Sequence, residues 1–185
     1  MNHRNKKAIQ IIALVLVLLL VGGTVVGALF AALAEENPPA RNQYELSMEY
    51  IEDEQALHIG QRLAFVNDTP NRLDRVVFYA APNMFRRESA LMYENDDLED
   101  VFPAGYAPGG IDLRSVQVDG AAADYGFQGE DELFLRVGCD IGPGDAATFE
   151  FDYYLLLTRC NAFIGVGATD VRLGAFYFIP GVYDA

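Results

Sequence analysis

Few side chains in this 185-residue sequence are suited to chemistry. The two histidines are His3, in a basic N-terminal stub, and His58. Zinc hydrolysis needs ligands at fixed spacing, such as H-E-x-x-H on one helix face, and neither histidine has such a neighbour. A serine triad needs an imidazole beside a nucleophile and an acid. His58 is the sole candidate, and no serine sits in a G-x-S-x-G elbow. Cys139 and Cys160 have no His or Cys at ligand spacing. The run at 94–100 supplies Glu94, Asp96, Asp97, Glu99 and Asp100, oxygens that calcium accepts, but without the D-x-[DN]-x-[DN]-G loop. It reads as a solvated acidic surface. Asn67-Asp68-Thr69 matches a glycosylation sequon and equally a turn before Pro70. The glycines follow neither a Walker nor a Rossmann pattern. No residue is assigned a catalytic, cofactor-binding or metal-ligating role.

The elements that must carry these side chains read as strands. Tyr44, Leu46, Met48 and Tyr50 share one face, with Glu45, Ser47 and Glu49 on the other. Leu57, Ile59, Leu63 and Phe65 continue that period-two pattern, and His58 falls opposite them. The nearly continuous apolar run 75–81 predicts a strand buried on both faces. Between Leu113 and Val116 the alternation slips phase, which predicts a bulge near Ser115. Asp119-Gly120 is a hairpin signal. Leu133 to Cys139 and Phe149 to Tyr153 alternate on either side of "DIGPGD", which reads as a hairpin turn. A last aromatic strand is expected over 172–179, and a turn of helix over 96–102. Residues 83–109 form a long connection, of a kind that often carries function. Together these give an all-β fold, an antiparallel sandwich of about eight strands spanning 44–185.

Charge and hydropathy divide the chain further. Residues 1–7 are a basic stub. From Ala8 to Ala34 only Gln10 and Thr24 carry hydrogen-bonding side chains, a 27-residue stretch against the about 20 that span a bilayer core. Basic flanking residues keep their end in the cytoplasm. A single-pass transmembrane signal-anchor at 8–34 is therefore expected, then a Pro-containing linker at 35–43, with the body outside the cell. Cleavage after the Ala32-Leu33-Ala34 step is the competing reading. Residues 35–185 hold 10 basic and 27 acidic side chains and no lysine. That balance excludes nucleic acid as a partner. With "DIGPGD" as a hairpin, Cys160 falls far beyond the residue opposite Cys139, so two free thiols are expected.

Several segments resemble, in order and spacing, the N-terminal domain of bacterial aminopeptidase N-like zinc metallopeptidases (gluzincins). They are the tyrosine-led strand at Tyr44, Gly60 through Asn67 and Thr69, and Pro82-Asn83-Met84-Phe85. "FPAGYAPGGI" (102–111), "IGPGD" (141–145) and "LGAFYFIPGVYD" (173–184) follow. Phe176 and Phe178 stand where that family usually has Trp and Pro. The resemblance covers about 140 residues and implies a non-catalytic, membrane-tethered first domain, present as a fragment or truncated form. Its partner would be a catalytic metallopeptidase domain in cis, and zinc would belong only to that domain. "MYEN" (92–95) is only superficially like the family's exopeptidase motif, because Tyr93 separates Met92 from Glu94. The alternative is a free-standing extracellular binding or accessory module.

Overall fold

The computed structural model describes residues 41–88 and 97–181. The stub, the apolar stretch at 8–34 and most of the linker lie outside the described residues, as do Glu94, Asp96 and the segment 92–95. Among the described residues no helix is long and apolar enough to cross a membrane.

Among the described residues, eleven strand segments alternate with short turns of helix. They are β1 (Gln43–Ile51), β2 (Ala56–Val66), β3 (Leu73–Tyr79), β4 (Gly110–Val118), β5 (Ala121–Ala122) and β6 (Tyr125–Gln128). β7 (Phe134–Ile141), β8 (Ala146–Leu156), β9 (Ile164–Val166), β10 (Val171–Leu173) and β11 (Ile179–Pro180) complete the order. Antiparallel pairing builds a five-stranded sheet, β1-β2-β8-β4-β5, and a four-stranded sheet, β11-β3-β7-β6. β9 and β10 make a small third sheet.

The inner faces of the two larger sheets meet through aromatic rings. Phe78 of β3 packs edge-on against Phe149 and Phe151 of β8, with centroids 5.2 and 5.0 Å apart. Ile59 and Leu63 of β2, Val76 of β3, and Leu135 and Val137 of β7 are completely buried in the same cluster. Along β2 and β8 the alternation seen in the sequence is thus the alternation of core and outer face. Asp119 (φ 51°) and Gly120 (φ 78°) turn β4 into β5 with positive φ at both centres, as a tight primed turn requires. The slip in β4 is a register shift between Leu113 and Ser115. It keeps both Ile111 and Val116 on the buried face.

Three expectations are corrected. "DIGPGD" does not close a hairpin, because β7 and β8 belong to different sheets and the turn carries the chain from one to the other. Buried Asn67 fixes that crossing. Its Nδ2 donates to the carbonyls of Asn71, Ile141 and Gly142 at 2.8, 3.1 and 3.0 Å. Its Oδ1 accepts from the amide and hydroxyl of Thr69, and its own amide donates to Asp145 O. β3 fully buries one face only, Val76 and Phe78, while Val77 and Tyr79 are partly exposed. Finally, 172–179 is not one strand. A turn at Gly174 and Ala175 (φ 48°) breaks it, and Gly174 lies so close to Phe163 that a Cβ there would sit 2.8 Å from its carbonyl oxygen. β10 joins the small sheet and β11 joins β3.

Part of the long connection fills the core instead of leaving it. A 3-10 turn, Ala81–Phe85, is entirely buried. Asn83 Oδ1 accepts from Ile111 N at 2.8 Å while its Nδ2 donates to Glu132 O at 2.8 Å. The expected helical turn forms at Leu98–Val101, and Phe102 behind it is buried against Phe85 and Tyr106.

Candidate functional site

The outer face of the five-stranded sheet gathers most of the polar chemistry. Registers align Glu49, His58, Tyr154 and Asp112 in one cross-strand row, and Ser47, Gly60, Asp152 and Ser115 in the next. His58 Nε2 lies 2.9 Å from Asp152 Oδ2, and its ring stacks on Tyr154 at 4.8 Å. Arg114 covers that tyrosine at 5.1 Å and reaches Asp112 Oδ2 at 2.8 Å. Gly60 leaves a shallow hollow of about 350 Å³ between Ser47, Arg62 and Glu150. A Cβ there would sit 2.6 Å from Ser47 Oγ, which leans over it and donates to Gly60 O at 3.3 Å. The hydroxyl is therefore bonded to backbone. The histidine is oriented by a carboxylate and a ring, and Arg114 is committed to Asp112. This face is a solvated ion-pair lattice.

The other sequence candidates lie apart. Asp97, Glu99 and Asp100 are exposed around the helical turn, and among the described residues no group of three or more His, Cys, Asp or Glu side chains gathers to hold a metal ion. Asn67 has no exposed surface, so the folded chain offers no sequon amide to a transferase. Cys139 and Cys160 are free thiols. Burial, then Asp74 and Asp140, pushes the Cys139 thiol from 9.0 up to about 11. Burial also raises Cys160, whose Sγ donates to Ile164 O at 3.2 Å. Neither thiol has the lowered pKa of a nucleophile.

A larger hollow of about 500 Å³ opens between β4 and β6, lined by Leu113, Tyr125, Phe127 and Leu156. Its charged members are committed elsewhere: Arg86 to Glu132 at 2.7 Å, and Asp112 to Arg114. A third hollow of about 470 Å³ lies beside Cys160 and Arg159. Arg159 Nε donates to Gln55 at 2.9 Å.

The most distinctive surface is β1. Among the described residues it pairs only with β2, through nine consecutive residues from Gln43↔Ala64 to Ile51↔Ala56. Its inner face continues the core face of β2, yet Tyr44, Met48 and Tyr50 are 37, 52 and 48% exposed. Tyr44 touches Tyr177 at 5.4 Å, where the segment before β11 crosses. That contact and burial raise the Tyr44 phenol above its ordinary value, burial being the larger cause. The sequence puts Tyr44, Leu46, Met48 and Tyr50 on one apolar face but carries no signal for what covers it. The His58–Asp152 pair was equally hidden, since its members are 94 residues apart.

No family model, curated protein or solved structure matches the chain.

Proposed function

We propose that residues 44–185 are a non-catalytic, membrane-tethered docking domain, a two-sheet sandwich that forms the first domain of an aminopeptidase N-like zinc metallopeptidase. The observation that carries this reading is the inner face of β1, an apolar stripe that among the described residues continues the core face of the sheet and leaves Tyr44, Met48 and Tyr50 exposed. Such a stripe on a domain with no gathered catalytic groups among its described residues marks a packing surface for another body. The segments that resemble the metallopeptidase family support it too. Asn67 with Thr69, and Asn83, hold turns and strand ends, as expected of a scaffold and not of a reacting centre. Residues 8–34 would anchor the domain, with the N-terminus inside and the body outside.

The anchor and the metallopeptidase reading are tested separately. Protease added to intact cells should digest the body and spare the stub, and a mature chain beginning at Glu35 overturns the anchor. The transcript should continue beyond Ala185 into a segment encoding an H-E-x-x-H helix. That segment, expressed separately, should bind the chain and lose binding when Met48 and Tyr50 become Ser. A stop codon at that point overturns the metallopeptidase reading and leaves an extracellular accessory module.

A further inference from the structure

Of the four outer edges of the two main sheets, three are blunted. β5 and β11 are two residues long, β11 contains Pro180, and β6 is four residues long. The β4 edge is also occupied at Ile111, whose amide donates to Asn83 and whose carbonyl accepts from Arg86. β1 carries none of these devices. It runs nine residues, about 30 Å at about 3.4 Å each, without proline, lysine or bulge, and pairs with β2 in unbroken register. A long, straight edge with an exposed apolar face is a template for one more strand.

Charge selects the occupant. On the outer face of β1 stand Glu45 and Glu49, followed by Glu52, Asp53 and Glu54 in the turn. Arg62 lies 3.5 Å from Glu45 but also 3.6 Å from Glu150, one cation between two carboxylates. Among the described residues no cation pairs with Glu49. A second copy of the chain fits poorly. The one twofold register that pairs all nine residues centres on Ser47, and it sets each Glu45 against the other copy's Glu49. Like charges directly opposed destabilise a strand pair. Each body also carries 27 acids against 10 bases, so copies repel.

We infer that β1 receives an extended polypeptide strand in which basic and apolar residues alternate. The apolar residues of that strand would lie beside Tyr44, Leu46, Met48 and Tyr50, and the basic ones beside Glu45 and Glu49. The inference concerns the hydrogen-bonding edge and goes beyond the metallopeptidase reading, since it holds whether or not a catalytic segment follows.

The test uses the full chain in detergent micelles and two blocked nonapeptides, one of alternating Lys and Val and one of alternating Glu and Val. At low salt the Lys–Val peptide should bind about tenfold tighter than the Glu–Val peptide, from two cross-strand charge pairs. Hydrogen exchange of the β1 amides should slow on binding. Glu45→Lys with Glu49→Lys should reverse the order of the two peptides. No binding, or Lys–Val binding that leaves β1 exchange unchanged, overturns the proposal. So does a dimer seen by sedimentation that protects β1 and excludes the peptide, because the occupant is then a second copy. None of these readouts depends on the transcript beyond Ala185, so this inference and the metallopeptidase reading fail separately.

Discussion

β1 and β2 lie side by side in one sheet, with the same period-two pattern, and meet opposite fates. Ile59 and Leu63 on β2 have no exposed surface, whereas Met48 and Tyr50 on the same face of β1 are about half exposed. The cause is width. Rings from β3 reach β8, and Phe178 covers Tyr153 and Phe151, while on β1 the one ring pair among the described residues is Tyr44 with Tyr177. Gln61 holds that cover in place: its Nε2 donates to Phe178 O at 2.7 Å and its Oε1 accepts from Phe178 N at 2.9 Å. A side-chain amide here does the work of a strand neighbour. Alternation therefore reports which face is apolar, and the opposing layer decides whether that face is core or surface.

The sharpest way to break this comparison is a pair of truncations. Phe149→Ala, at a fully buried ring, should cost about 3–5 kcal/mol in denaturant unfolding. Met48→Ala, on the uncovered strand, should stay within about 0.5 kcal/mol. Equal costs would mean that β1 is covered in solution. Next in size is Asn67→Ala, which strips the β7–β8 crossing of its donors and acceptors. It should cost about 2–3 kcal/mol, as buried carbonyls lose their partners. A cost below about 0.5 kcal/mol would mean that the turn residues hold the crossing unaided.

A smaller effect tests the environment of the thiols. In the folded chain the Cys139 alkylation rate should climb about tenfold per pH unit between about pH 8 and pH 10, following the thiolate fraction. In the unfolded chain it should level off above its ordinary pKa. The sign for stability follows from the raised folded value. The contribution is fully present below the unfolded pKa of 9.0 and is lost as pH rises toward about 11. A folded-state rate that levels off near pH 9 would place Cys139 in water.

The smallest effect belongs to the exposed pair Arg72–Asp140, a two-point contact between guanidinium and carboxylate. The hydrogen bonds from Arg72 hold the Asp140 carboxyl below its ordinary value. Its contribution is present above the ordinary carboxyl pKa and is lost as pH falls through the depressed one. Because solvent surrounds the pair, Arg72→Ala should return the Asp140 titration to the ordinary range, read by carboxyl NMR. The unfolding midpoint at neutral pH should not move measurably. A clear destabilisation would show the pair to be shielded from water.

Much of the β architecture is legible in the sequence. Period-two alternation located β1, β2, β7 and β8, because a half-buried strand must alternate. The phase slip marked the β4 bulge, and Asp119-Gly120 marked a turn that needs positive φ twice. These are local constraints, written into neighbouring side chains. Tertiary structure decided the rest. "DIGPGD" carries the same turn residues whether the next strand pairs with the last or crosses to the other sheet, and buried Asn67, about 75 residues away, settles that choice. Gln61 and Phe178 meet across 117 residues, and His58 and Asp152 across 94. No local pattern records such pairs, because their free energy arises only when distant strands are brought into register. The exposure of β1 is the same kind of fact. Its side chains fix their own polarity, but whether they face water depends on how far a second sheet, encoded elsewhere in the chain, extends above them.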